Sequence, residues 1–406
     1  MTLSKYTIYS ANLNYRINPL HNHKTFLYLA TMSYDTLKYW IALKFIEDIG
    51  NVTYIHLIDA FGSPRDVFHA PVNALREVPR ITRKIAAAIK GFSDWEKVEK
   101  EYNLAEKSGV SILPSQSPLY PQGLLNIYDY PPLLYVKGTL LEEDIYISVV
   151  GSRIASTYGK FTTERLCREL AFKGITTVSG MARGIDSAAH RGSLSGNGRT
   201  VAVLGSGIDV IYPPENKELY DKIAANGAVI TEFPFSTLPK GPHFPVRNRI
   251  ISGMSLGVVV VEANEKSGSL ITARTALEQG REVFAVPGSI DSPGTKGTHK
   301  LIRDGAKLIE NVYDILEEIL PQIEGRGDSP PSADSTESGH VSDSDYDDLG
   351  KMEREILDLM EKKPQQIDSI ITKSGCTAND VLNSLLSLEL KGYIEQLPGK
   401  HFKFKE

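Results

Sequence analysis

GPHFPVRNRIISGMSLGVVVVEANEKSGSLITARTA, residues Gly241 to Ala276, is the stretch on which the fold turns. It encloses an apolar β-type run, Gly257 to Glu262, and then places Ser267, Gly268 and Ser269 where a parallel strand hands over to a helix. A second stretch, Val149-Val150-Gly151-Ser152-Arg153, makes the same transition. Outward from these two, the runs Ile145 to Val150, Ile175 to Ser179, Thr200 to Leu204, Ala228 to Glu232 and Val283 to Val286 read as further strands, with helical stretches between most of them. Lys307 to Ile309 is a candidate edge strand before a helix at Val312 to Ile319. Strands alternating with helices predict an α/β domain with a doubly wound, mostly parallel sheet covered on both faces.

Open sheets of this kind bind ligands just beyond the carboxyl ends of their strands. A Gly-Ser turn there offers several N–H groups to an anion, and the helix that follows adds a favourable dipole. Gly151, Ser152 and Arg153 with Ser267, Gly268 and Ser269 are therefore the expected phosphate cradle, and Asn248 and Thr272 are further expected binding residues. Lys240, Arg247, Arg249, Lys266 and Arg274 supply neighbouring cations, and His243-Phe244 supplies an aromatic edge. Guanidinium forks match phosphate oxygens, and aromatic faces match unpaired bases. Ile250, Ile251, Met254 and Leu256 flank the site and are open to assignment as core or as interface.

The segments GSR (Gly151 to Arg153), SGMARGIDSAAH (Ser179 to His190), VAVLGSGIDVIYP (Val201 to Pro213), HFPVRNRIISGMS (His243 to Ser255) and EANEKSGSLITARTALEQGREVFAVPG (Glu262 to Gly288) resemble the DNA-processing DprA, or Smf, family in order and spacing. The resemblance spans roughly residues 33 to 320. It implies a Rossmann-like domain that binds single-stranded DNA, acts as a homodimer, and loads a RecA-class recombinase during natural transformation. It also implies a helical, sterile-alpha-motif-like N-terminal domain and a C-terminal winged helix.

The chain's 406 residues, 41% hydrophobic and 23% charged, suit two or three globular domains. A net charge of -5 gives no global nucleic-acid signature, so DNA affinity must come from a local patch. Two cysteines, Cys167 and Cys376, in different predicted domains argue for a reducing compartment and offer no metal cluster. Without a membrane-length apolar run or a signal pattern, the expected location is cytoplasmic, and no cofactor, metal or membrane is expected as a partner.

Residues 1–31 lack Asp and Glu and any periodicity, which predicts a disordered extension, with Met32 a candidate start. From 32 to 116 the pattern is helical, with two hairpin-like units, the second carrying Pro79 and Arg80 where such a hairpin usually has glycine. The α/β domain is set at 117–321, and Ser117 to Gly138, rich in Pro and Tyr, reads as an extended lead-in along the sheet. Residues 322–350 hold eight acidic side chains against Arg326, an acidic linker. Residues 351–406 close the chain as the winged helix, with helices at Met352 to Met360, Ile367 to Ser374 and Thr377 to Lys391 and a hairpin turning at Pro398-Gly399. The third helix carries few cations, which favours structure or protein contact over base readout.

Three catalytic motifs fail on inspection. Gly205 to Val210 lacks the last glycine of a dinucleotide fingerprint, and no Gly-Lys pair is followed by Ser or Thr as a Walker A loop requires. Gly253 to Gly257 matches an esterase elbow in letters, but Ser255 leaves a helix for a strand, the reverse of what the elbow needs. Asp186 and His190, one helical turn apart, are assigned to capping and packing. The competing enzyme reading is a nucleotide phosphoribohydrolase of the lysine-decarboxylase-like type, in which the Ser267 to Ser269 turn holds a sugar phosphate and Glu278 assists cleavage. The chain is expected not to be an enzyme.

Overall fold

The computed structural model describes residues 33–324 and discontinuous stretches between 354 and 404. The 1–31 extension and most of the acidic linker lie outside the described residues. The chain divides into two compact units, Met1–Ser329 and Pro330–Glu406.

Among the described residues the first unit opens with six helices: α1 (Tyr34–Phe45), α2 (Asn51–Phe61), α3 (Pro64–His69), α4 (Val72–Glu77), α5 (Arg83–Lys90) and α6 (Trp95–Lys107). The turns of the two hairpins, α1–α2 and α4–α5, each carry a non-glycine residue at positive φ, Asp48 at 68° and Arg80 at 69°. Lys84 on α5 reaches back to Asp48, 2.6 Å away, across the two hairpins. Gly62 at φ 81° ends α2, and Ser63 caps α3.

A nine-stranded sheet follows, in the order β1-β2-β6-β5-β4-β3-β7-β8-β9. Its strands are β1 (Val110–Pro114), β2 (Leu133–Gly138), β3 (Ile145–Gly151), β4 (Ile175–Ser179), β5 (Thr200–Val203), β6 (Ala228–Thr231), β7 (Gly257–Val261), β8 (Glu282–Ala285) and β9 (Lys307–Leu308). From β6 to β9 all neighbours are parallel, while β1 and β2 pair antiparallel with each other and β2 antiparallel with β6. All seven strands expected from the sequence are present to within a residue or two at their ends. β1 and β2 are the addition, so the lead-in at 117–138 is corrected in its last part: Leu133 to Gly138 is a paired strand.

Alternation along the strands sends side chains to the two faces. In β3, Ile147 and Val149 face α7 (Thr157–Phe172), α8 (Ile185–Ser195) and α13 (Val312–Glu324), whereas Tyr146 and Val150 face α10 (His243–Met254) and α11 (Gly268–Glu278). β7 does the same with Val259 and Val261 against Val258 and Val260. On the first of these faces, at the β1 end, Leu133, Tyr135, Ala202 and Val229 share one core with α1 to α6 and with α9 (Lys217–Asn226). The helical segment is therefore not set apart at residue 116 but continues the packing of the sheet. α13 also runs past the expected end at Ile319, through Pro321 to Glu324, with Leu320 and Ile323 packed against the core. Helix α12 (Lys296–Arg303) precedes β9. Among the described residues no helix is long and apolar enough to cross a membrane.

In the second unit, α14 (Ile367–Ser374) precedes a hairpin of β11 (Ile394–Leu397) and β12 (His401–Phe404), which β10 (Gln365–Gln366) joins on the far edge of β12. Leu397 pairs with His401, and the expected turn at Pro398-Gly399 lies outside the described residues. Ile370, Val381, Leu385, Leu388 and Phe402 form its core, the make-up of a winged helix.

Candidate functional site

The chain runs β3, β4, β5, β6 in one direction across the sheet and then returns to place β7 on the other flank of β3. Gly151 stands opposite Val261 at the carboxyl ends of these two strands, and a crevice opens at such a switch point. Glycine is required at 151, since a Cβ there would lie 2.0 Å from the Val261 carbonyl oxygen. The Ser152 amide donates to the Glu262 carbonyl (2.8 Å), and the Ser152 carbonyl accepts from the Ile185 amide (3.1 Å). The Gly-Ser turn is thereby tied both to the neighbouring loop and to the first turn of α8, and Arg153 emerges from it exposed.

Over that turn the guanidinium carbon of Arg153 lies 5.0 Å from the centre of the Phe244 ring, in cation–π contact. Phe244, half-buried in the first turn of α10, meets Tyr212 on its other side, ring centres 5.8 Å apart. Tyr212 is 38% exposed. The exposed Arg183, paired with Glu215, follows β4. Lys240 and Lys266 are exposed on the flanking loops, and Asn248 is half-buried. His243 stacks on Phe233, centres 4.6 Å apart, so the aromatic edge of this segment is Phe244 alone.

Four expected site residues lie inside the protein, Ser269 among them. Arg247, 3% exposed, donates to the Val203 carbonyl and passes under Gly180, where a Cβ would be 2.0 Å from its Nη1. Burial lowers its pKa to about 10, opposed by the charge of Asp186. Arg249 is held by Glu232, whose carboxylate oxygens are 2.6 and 2.7 Å from its Nη2, and by Asp129 at 3.1 Å from its Nε. Thr272, 1% exposed, faces the core from α11. The expectation that Arg247 and Arg249 neutralise phosphates, with Thr272 as a binding residue, is corrected: Arg249 is engaged by its carboxylate partners, and Arg247 is buried on the Val203 carbonyl in the field of Asp186. Ile250, Ile251, Met254 and Leu256 are likewise core, none more than 4% exposed.

The turn at Lys266 to Ser269 is folded on itself. Ser267 caps α11, accepting from the Ser269 amide (3.4 Å) and sharing a hydrogen bond with the Ser269 hydroxyl (2.7 Å). The Lys266 amide donates to the Asn264 side chain, and the Ser267 amide to the Asn264 carbonyl. Gly268 is exposed at the tip and Ser269 is buried. At the other turn the cap of α7, Ser156, faces a carboxylate: Glu262, at φ 57°, brings Oε2 to 2.9 Å from the Ser156 amide and 3.1 Å from its hydroxyl. Glu262 was expected as an acid near the Gly-Ser turns but not as an occupant of the crevice, and Tyr212 as a neighbour of Phe244 was not foreseen. Tyr212 had a signal, an aromatic before Pro213-Pro214 in the loop after β5.

The alternatives separate on the same geometry. Glu278 is the last residue of α11, about 15 Å along the helix from the Ser267 turn at 1.5 Å per residue. Ser255 leaves α10 for β7 and is buried against Ser148, Oγ to Oγ 2.7 Å. Asp186 accepts from the Ala182 amide at 3.3 Å, and His190 is fully buried with Nδ1 2.7 Å from Thr200 Oγ1.

The family model for DNA recombination-mediator protein A matches residues 111–320, and that for the DprA winged helix domain matches residues 341–400. Protein Smf of Escherichia coli K12 is 39% identical over 310 residues, 76% of this chain and 81% of its own length. DNA processing protein DprA of Bacillus subtilis 168 is 46% identical over 238 residues, 58% of this chain and 80% of its own. The X-ray structure of DNA processing protein A from Streptococcus pneumoniae superposes with a TM-score of 0.61 at 35% identity, covering 70% of this chain and 97% of that one.

Proposed function

Since the chain belongs to the DprA/Smf family of DNA-processing proteins, we propose that it binds single-stranded DNA across the Arg153–Phe244 surface and passes the strand to a RecA-class recombinase during natural transformation. The observation that carries the binding step is the exposed Arg153 guanidinium lying on the ring of Phe244, with Tyr212 beyond it. A cation beside aromatic faces suits a phosphate with its unstacked base, and a paired duplex offers no such base. Lys240 and Lys266 extend the positive surface along the backbone path. The transfer to a recombinase and the homodimer that would coat the strand follow from the family resemblance, which also favours binding over catalysis.

The test mixes purified protein with labelled single strands, duplex and nucleoside monophosphates. Single strands are retained well above duplex and no free base is released. Arg153→Ala weakens single-strand binding and reduces the salt slope by roughly one contact, about 0.7 in log–log units for a single strand. Phe244→Ala costs ~1–3 kcal/mol of affinity at an unchanged slope, the value of one stacked base. An unaltered slope for Arg153→Ala removes that residue from the interface. Base release that disappears in Glu278→Gln returns the hydrolase reading.

A further inference from the structure

We infer that the Glu262 carboxylate is a built-in anion that fills the phosphate position at the switch point, so that this sheet refuses free phosphate and mononucleotides there and leaves the strand's phosphates to the outer Arg153 surface. The inference deepens the DNA-binding reading and rests on it for the last clause only.

Two segments, the start of α7 and the turn before α12, converge on this one carboxylate. Oε2 accepts from the amide and hydroxyl of Ser156, the cap of the sixteen-residue helix α7. A Cβ on Gly159, one turn into that helix, would stand 2.1 Å from the same oxygen. A Cβ on Gly294, in the turn before α12, would stand 2.8 Å from Oε1. Two glycines thus leave room for a group the size of an oxyanion, and the protein places its own oxyanion in that room. The backbone of Glu262 takes φ 57° to do so, a region that non-glycine residues rarely enter. The donors engaged are the ones an open α/β sheet of this topology presents to a ligand phosphate, namely an N-terminal amide and a hydroxyl at the start of the helix after the central strand. Arg153, three residues before Ser156, points instead to the Phe244 ring. The site therefore has an inner anion position that is filled and an outer cation that is exposed. Such an arrangement keeps free mononucleotides from competing with a DNA strand at the switch point.

The experiment titrates full-length protein with inorganic phosphate and with adenosine monophosphate, read by calorimetry and by the amide resonances of Ser156 and Gly159. Wild type shows no saturable shift of those two amides. Glu262→Ser, which empties the position and removes its charge, binds phosphate roughly tenfold or more tightly than wild type, with both amides shifting. Saturable shifts in wild type overturn the inference, and so does a folded Glu262→Ser protein that gains nothing. Should that variant fail to fold, Glu262→Gln keeps the shape without the charge; a gain in phosphate affinity over wild type supports the inference, and equality overturns it. No DNA enters these titrations, so their failure leaves the Arg153 salt-slope result standing, and failure of the DNA assay leaves the exclusion result standing.

Discussion

Arg249 shows how a basic residue read as a ligand becomes a structural one. Its guanidinium and the Glu232 carboxylate are 10% and 5% exposed at the side chain, and Asn51 from α2 adds a donor to Glu232 at 2.8 Å. Arg249→Met leaves that carboxylate buried with its main counter-charge gone, and is expected to cost ~3–5 kcal/mol in urea unfolding. A loss under ~1 kcal/mol would mean that water reaches Glu232. His190 carries a second consequence. Thr200 Oγ1 donates to the Thr177 carbonyl, so it accepts from His190 Nδ1–H, and the buried Nε2 has no partner. Burial, with the charges of Arg247 and Arg191, lowers the imidazole pKa to about 3. Below the ordinary value of 6.5 the unfolded chain takes up a proton that the folded one refuses. This residue's contribution is therefore whole above pH 6.5, falls by ~1.4 kcal/mol per pH unit towards pH 3, and changes no further below. Asp186, raised by burial, acts in the opposite sense, so the measurement compares unfolding of wild type and His190→Gln across that range, with a shallower acid slope expected in the variant. Of the candidate site, Arg153 and Phe244 were legible as accessible positions because they sit on turns and first helical residues. It did not show which arginines of VRNRI turn inward, because the partners that decide this, Glu232, Asp129 and the Val203 carbonyl, come from distant segments.

Elements were legible in proportion to how far their pattern was local. The central parallel strands are apolar runs bounded by turns and were read almost to the residue. β2 was not, because Leu133 to Val136 follows Pro131-Pro132 and its strand character depends on pairing with β6, far along the chain. Gly138 ends that strand at φ 95°, where a Cβ would stand 2.4 Å from the Gly227 carbonyl oxygen and 2.5 Å from that of Ala224. Gly138→Ala is expected to lose roughly 2 kcal/mol or more, since both the conformation and the clash involve backbone. The opposite change is expected in the α4–α5 hairpin. Arg80 at φ 69° stands where a glycine would carry no strain, and its side chain makes only an exposed contact with Tyr128 at 3.2 Å. Arg80→Gly relieves ~1–2 kcal/mol of left-handed strain and gives back part of it to unfolded-chain entropy, for a net gain of ~0.5 kcal/mol in chemical denaturation. A net loss there would give the Tyr128 contact more weight than its exposure allows.

For the whole molecule, we propose that the acidic composition of 322–350 separates two independently stable parts, in keeping with the division at Ser329 and Pro330. Limited proteolysis is expected to cut first between Ile323 and Gly350, and the larger fragment is expected to match the full chain in single-strand retention; first cuts inside Ile145 to Ile319 would refute this domain map. That fragment would keep α1 to α6, because they share the core of the sheet rather than standing beside it. The position of the proposed binding surface within the sheet has a mechanical side. Arg153 leaves the end of β3, a strand bonded along both edges, to β4 and to β7, and six of the nine strands lie beyond those two neighbours. A DNA strand under tension would draw on β3 along its length, so the hydrogen bonds on both edges would bear the load together in shear. An edge strand would peel open one bond at a time. The fold thus offers its stiffest direction to a ligand that pulls.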